Sequence, residues 1–450
     1  MNEISLGSFN RCSAPSKLKI TDLRFAKISG APMGCIMVKI MTNSELVGYG
    51  EIRDWSSETY GLLLKSRIIG ENPCNVDKIF RRIKQFGGPS RQAGGVCGIE
   101  LALWDLAGKA YGVPVYQMLG GKFRDKVRIY SDTDIHGRPD GKKMGEALKQ
   151  RMELGFTFLK MDWGVGTLLE MDESGVLTSP LGFVEDLKST EGMRKYFLTD
   201  RGKYNRAYDI NNIAHPFTGL QITEKGLDIL ENYLAEVRSI IGYEIPLAID
   251  HCGHIGLTEC IKLGRRAEKY NLAWLEDLLP WQMTAQYKRL ARAVAVPLAT
   301  GEDIYLKENF LPLLESGALA VIHPDILSSG GIYETKKIGD LAQDHGVAMA
   351  IHMAETPIAA MAAAHTAAAT ENFLALEFHS VDVPWWDDLV KAPSRPLIQN
   401  GYIELTEAPG LGIEDLNDEV IRAHLDASQK DIWVTTDQWN NEYSHDRTWS

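Results

Sequence analysis

One polar residue closes a short apolar run at nearly constant intervals through the second half of the chain. The runs IPLAID, LAWLE, PLATGE, AVIHPD, VAMAIH and FLALE end at Asp250, Glu276, Glu302, Asp325, His352 and Glu377, spaced by 26, 26, 23, 27 and 25 residues. Such an interval holds one strand, one helix and two loops, the repeat that joins neighbouring parallel strands. Two further runs, VRIYS and FTFLKMD, precede them, giving eight candidate strands alternating with helical segments. Eight strand-then-helix units predict an α/β fold of the TIM (β/α)8 type, with its chemistry at the C-terminal strand ends. The recurring polar residues would then share one mouth.

The flanking sequence follows other rules. Residues 18–53 read as three strands, LKITDLRFAKI, CIMVKIMTN and ELVGYGEIR, with turns at 30–34 and at Asn43-Ser44. Residues 60–120 turn helical, and Ile99, Ala102, Leu103, Leu106 and Ala110 recur at helical spacing until Gly112-Val113-Pro114 stops them. This predicts a separate α+β unit over 1–125, a barrel over 126–390 and a C-terminal segment over 391–450. That segment, with a strand in GYIELTEAPGLGI, would return to the first unit. One interval breaks the barrel rhythm: Asp162 and Asp250 are 88 residues apart, placing an insertion at about 165–222. It reads as a surface or oligomer-contact loop, or as a lid over the barrel mouth.

A formal net charge of −12 and a pI near 5.5 set the chain against nucleic acid and anionic membranes. A small anionic ligand would need locally placed cations. The six cysteines are scattered without a CxxC pair, as expected of reduced thiols. The opening MNEISLGSFNRCSAPSK has no apolar core of a signal peptide, and no run of about 18 apolar residues could span a bilayer. A cytoplasmic protein is expected.

Asp250, Glu276 and Glu302 close consecutive runs. Three carboxylates about 4 Å apart repel by on the order of 4 kcal/mol per pair at an effective dielectric near 20, so a divalent cation is the natural compensation. Oxygen-only ligands favour Mg²⁺ or Mn²⁺ over Zn²⁺. Each acid alone would read as a solvated residue opening a helix. Lys160 and Asp162 alternate at the end of FTFLKMD and would face one side. Lys160 is then either an acid–base group near the metal or half of an ion pair with Asp162. His352 follows Asp325 by one repeat, so the two could share a hydrogen bond that orients the ring and raises its basicity. Glu377 would orient or polarise a substrate carboxylate. In DHCGH, His251 and His254 are either proton donors or loop histidines, and His323 and His379, next to assigned strand-end residues, are expected by alternation to face away.

The order Lys160, Asp250, Glu276, Glu302, Asp325, His352, Glu377, together with GIELALWDLAGKAYGVPVYQMLGG, resembles the mandelate racemase subgroup of the enolase superfamily. The resemblance covers nearly the whole chain outside 165–222. It implies a modified barrel with an N-terminal α+β capping domain completed by the C-terminal segment. It implies one Mg²⁺ per active site, held by Asp250, Glu276 and Glu302, and His352 with Asp325 as one acid–base arm opposite Glu377. The shared step is removal of the proton α to a carboxylate. Racemases of the family usually carry a KxK pair on the second strand, and here Asp162 replaces its second lysine. Related dehydratases place an acid histidine two residues after the first metal ligand, a position held here by Cys252. Without that second lysine, the resemblance implies dehydration of a sugar acid to a 2-keto-3-deoxy acid rather than 1,1-proton transfer, while Cys252 counts against His251 or His254 as its acid. Epimerisation, racemisation or cycloisomerisation of a related acid, or a ligand-binding regulatory homologue, are the alternatives. Substrate contacts are expected from Arg53, Trp55, Asp162 and His254, and a homo-oligomer is expected from the family.

Overall fold

The structure, a computed structural model, describes residues 15–135, 139–171, 175–178, 217, 220–250 and 255–442. It forms two compact units, one of Met1–Ile129, Glu302–Phe310 and His323–Ser450, the other of Tyr130–Gly301 and Leu311–Ile322.

The first unit opens with an antiparallel meander of β1 (Ile20–Ile28), β2 (Cys35–Thr42) and β3 (Val47–Ile52). Against it packs the helix Gly94–Tyr111, ended by Gly112 in the left-handed conformation at φ 72°. The packing is close enough to require glycine: a Cβ on Gly48 would stand 2.2 Å from the Ala102 carbonyl oxygen, and one on Gly50 2.0 Å from that of Gly98. Ile20, Leu23, Phe25, Ile36, Val38, Ile99, Leu103 and Leu106 meet in the core between sheet and helices.

The expected barrel is present, with its strands at the expected runs. They are β4 (Lys126–Thr133), β5 (Leu159–Asp162), β6 (Leu247–Asp250), β7 (Leu275–Glu276), β8 (Leu298–Thr300), β9 (Val321–Ile322), β10 (Ala348–Ile351) and β11 (Phe373–Phe378). They follow one another in sheet order, and β11 pairs with β4 to close the barrel. Helices follow seven of the strands, including Gly141–Glu153, Glu224–Ile241, Leu257–Ala267, Ile332–Asp344 and Pro357–Ala368.

The eighth strand departs from the repeat. After β11 the described chain passes through a single 3-10 turn, Asp387–Leu389, into Val390–Lys391, which pairs antiparallel with Asp415–Leu416. The segment VDVPWWDD carries a proline and no helical spacing of apolar residues, so nothing favours a helix there. The strand in GYIELTE, Tyr402–Glu404, pairs with Lys126–Arg128 of β4 rather than with the meander. The return to the meander comes later: the amides of Asp426 and Trp433 donate to the carbonyls of Lys27 and Phe25, and Lys65 Nζ donates to Thr436 Oγ1.

Of the insertion at 165–222, the described parts are the short helix Val165–Glu170 and a hairpin of Val176–Thr178 with Leu220–Ile222. The expected lid or contact loop otherwise lies outside the described residues. No helix among the described residues is long and apolar enough to cross a membrane.

Candidate active site

In the second unit, β5, β6 and β7 are parallel and in register, Asp162 standing opposite Asp250 and Ile249 opposite Leu275. Strands this short and this buried are held by apolar side chains such as Leu159, Leu247, Ile249 and Leu275. Their C-terminal ends carry the charges. Lys160, fully buried, places Nζ 2.6 Å from Asp250 Oδ2 and 3.2 Å from either oxygen of Glu276. Trp274 Nε1 donates to Glu276 Oε2 at 2.8 Å. Burying one ammonium and two carboxylates is tolerable only because they meet. Asp250 and Glu276 are ion-pair partners of Lys160, which the sequence reads as an acid–base group or as half of an ion pair with Asp162. Asp162 ends its strand exposed.

In the first unit, Glu302 stands two residues beyond the end of β8, and Asp325 and His352 form a parallel bridge beyond β9 and β10. The expected hydrogen bond exists: His352 Nδ1 lies 2.6 Å from Asp325 Oδ2. Asp325 Oδ1 in turn accepts from the Leu327 amide at 2.5 Å, which fixes the carboxylate plane. With Nδ1 committed, Nε2 is the working nitrogen, 3.1 Å from Glu302 Oε2 and 4.0 Å from Glu377 Oε2. Burial disfavours the imidazolium, but Glu302, Glu377 and Asp325 outweigh it and hold the His352 pKa well above its ordinary value.

His323 and His379 do not face away. His323 Nε2 lies 3.4 Å from Glu377 Oε2, and His379 Nε2 lies 3.2 Å from Glu377 Oε1. The reason is local: β9 ends at Ile322 and β11 at Phe378, so each histidine is one residue past its strand, where pleat alternation no longer aims side chains. Glu377 is therefore fully buried among three histidines.

Glu355 was given no role by sequence. It is fully buried, accepts from the Ala354 amide at 2.9 Å, and is pushed well above the carboxylate range by burial and by Asp325 and Asp54. No pattern in HMAET marks it.

Trp55 is 53% exposed and holds φ +52°, its amide donating to the Gly34 carbonyl, so the loops 29–34 and 53–56 adjoin. Arg53 is 1% exposed and its guanidinium is spent on protein groups: Glu302, Asp54 and Ser328. His254, with His251 and Cys252, lies outside the described residues.

Asp250 and Glu276 close β6 and β7 in the second unit, and Glu302 stands two residues beyond β8 in the first; all three are carboxylates. Carboxylate oxygens are the donor set that hard divalent cations take. The residues fit a divalent metal.

Two family models match: "Mandelate racemase / muconate lactonizing enzyme, N-terminal domain" over residues 17–120, and "Enolase C-terminal domain-like" over 143–419. Among named relatives, D-xylonate dehydratase of Haloferax volcanii is 32% identical over 90% of this chain and 89% of its own length. D-galactonate dehydratase of Klebsiella pneumoniae is 27% identical over 90% of this chain and 94% of its own. Among solved structures, a mandelate racemase/muconate lactonizing enzyme-like protein from Rubrobacter xylanophilus superposes with a TM-score of 0.75 at 27% identity, covering 92% of this chain and 99% of that one. Matched by both family models and along nine-tenths of its length, the chain belongs to the enolase superfamily, in the mandelate racemase subgroup.

Proposed function

We propose that the protein is a sugar-acid dehydratase that removes the proton α to the substrate carboxylate and expels the β-hydroxyl as water. The carrying observation is His352, with Nδ1 fixed by Asp325 and Nε2 directed to the carboxylates Glu302 and Glu377. The names of the relatives, dehydratases of D-xylonate and D-galactonate, support the same reaction class.

Asp250, Glu276 and Glu302 would hold the cation, Mg²⁺ being the ion that an all-oxygen donor set favours. When bound, it supplies Lewis-acid neutralisation of the charge that develops on the substrate carboxylate. In its neutral form His352 takes the α-proton at Nε2, and the electron pair of that C–H bond becomes the α,β double bond as the β-carbon to oxygen bond breaks. His352, now protonated, returns a proton to the departing hydroxyl, which leaves as water. The enol left behind tautomerises to a 2-keto-3-deoxy acid. Lys160 keeps Asp250 and Glu276 together and stands as a second proton donor at the same strand ends. Glu377, seated against His323 and His379, orients the substrate carboxylate. Racemisation would need a base on each face, and β5 carries Asp162 where a second lysine would stand.

The test is a library of aldonic and aldaric acids incubated with the protein and Mg²⁺, read by formation of a 2-keto acid. Product from at least one acid, abolished by a chelator and restored by Mg²⁺, is the expected result. Epimerised acid without a keto product would overturn the dehydratase reading.

A further inference from the structure

Arg53 follows β3 in the N-terminal meander, in the loop where a substrate contact is expected. Its surroundings argue otherwise. The side chain is 1% exposed and its donors are directed at protein oxygens. Nη1 donates to the Glu302 carbonyl at 2.6 Å and to Ser328 Oγ, and it stands 3.3 Å from Asp303 Oδ1. Nη2 donates to Glu302 Oε1 at 3.1 Å. Nε lies 3.3 Å from Asp54 Oδ1 and 3.8 Å from Asp325 Oδ2. Asp54 is itself held by Arg91, whose Nη2 reaches Asp54 Oδ2 at 2.9 Å.

Two of these contacts bear on chemistry. Glu302 presents Oε1 to Arg53 and Oε2 to His352, so the guanidinium fixes the rotation of the carboxylate as well as the backbone carbonyl behind it. Asp325 presents Oδ2 both to His352 Nδ1 and, at longer range, to Arg53 Nε. The planar fork thus spans a carboxylate assigned to the cation and the carboxylate that orients the base. A lysine could not span both, because its ammonium is a single point rather than a fork.

We propose that Arg53 is a positioning residue that holds Glu302 and Asp325 in the geometry needed for cation binding and for proton abstraction by His352, and that it does not contact substrate. This rests on the reading of Glu302 as a metal ligand and His352 as the base.

The experiment uses the full chain as wild type, Arg53→Lys and Arg53→Ala. Each is measured for Mn²⁺ binding without substrate, by the loss of the free-ion electron paramagnetic resonance signal, and then for kcat and KM with an active sugar acid. Mn²⁺ binding by the wild type tests the underlying reading by itself. The proposal expects both variants to bind Mn²⁺ roughly 10- to 100-fold more weakly, the usual effect of losing a group that orients a metal ligand. It expects kcat to fall by a similar factor at saturating Mn²⁺ with KM little changed, and guanidinium ion to restore part of the Arg53→Ala activity. Wild-type Mn²⁺ affinity in the variants, or a loss confined to KM, would overturn it and return Arg53 to the substrate. If Arg53→Ala fails to fold, Ser328→Ala, which frees one guanidinium bond, is expected to weaken Mn²⁺ binding by a smaller factor. Unchanged affinity there would count equally against the proposal.

Discussion

The two units of the molecule compensate their buried acids in different ways. At the ends of β5, β6 and β7, Asp250 and Glu276 share one lysine, Lys160, at 2.6 and 3.2 Å. At or just past the ends of β8, β9 and β11, Glu302, Asp325 and Glu377 are met by an arginine and by His323, His352 and His379. Lysine and arginine keep their charge near neutral pH, whereas imidazole can gain or lose a proton there. The first set is suited to holding charge in place and the second to moving a proton. On the proposed function, Asp250 and Glu276 serve binding, His352 serves proton transfer and Glu302 touches both, so substitutions at Asp250 and at His352 should separate the two.

The largest separation is expected from His352→Asn. It should lower dehydration about a thousandfold or more, within the range that general acid–base catalysis contributes, while Mn²⁺ affinity measured by calorimetry stays near wild type. Next comes Asp250→Asn. Mn²⁺ binding should weaken by about a hundredfold or more, the order that one carboxylate supplies at an effective dielectric near 20. If the proton-transfer side is independent, saturating Mn²⁺ should recover much of the activity.

A smaller effect separates charge from metal. In Lys160→Met the two buried carboxylates lose their ammonium, and the metal-free protein should lose about 3 kcal/mol of stability, as expected on breaking a buried ion pair. Added Mn²⁺ should then raise Tm by more than it raises that of the wild type; an equal rise would mean that Lys160 and the cation do not share these carboxylates. The smallest effect serves as a control remote from either set. Gly48→Ala, which drives a Cβ to 2.2 Å from the Ala102 carbonyl, should cost about 1–3 kcal/mol in denaturant unfolding and leave KM unchanged.

What could be read from sequence was what is local. Each of Asp250, Glu276, Asp325, His352 and Glu377 stands where an apolar run stops, so its strand end and its order among the others followed from spacing. The helix Gly94–Tyr111 and its glycine stop were legible for the same reason. His323 and His379 were misread because alternation was carried one residue beyond Ile322 and Phe378, where the strands have ended. Arg53 reads as a polar loop residue, and its burial depends on Glu302, Ser328 and Asp325, 249 or more positions away in the chain. The helix expected after β11 was an extrapolation of the repeat, and the proline and paired tryptophans of VDVPWWDD were the local signal against it.

The most direct measurement is proton NMR of an active sugar acid in D₂O with Mg²⁺, wild type beside His352→Asn. The account predicts that the wild type forms a 2-keto-3-deoxy acid carrying deuterium at C3 and that His352→Asn shows neither product nor exchange of the α-hydrogen. Undiminished α-exchange or product formation by His352→Asn would contradict it.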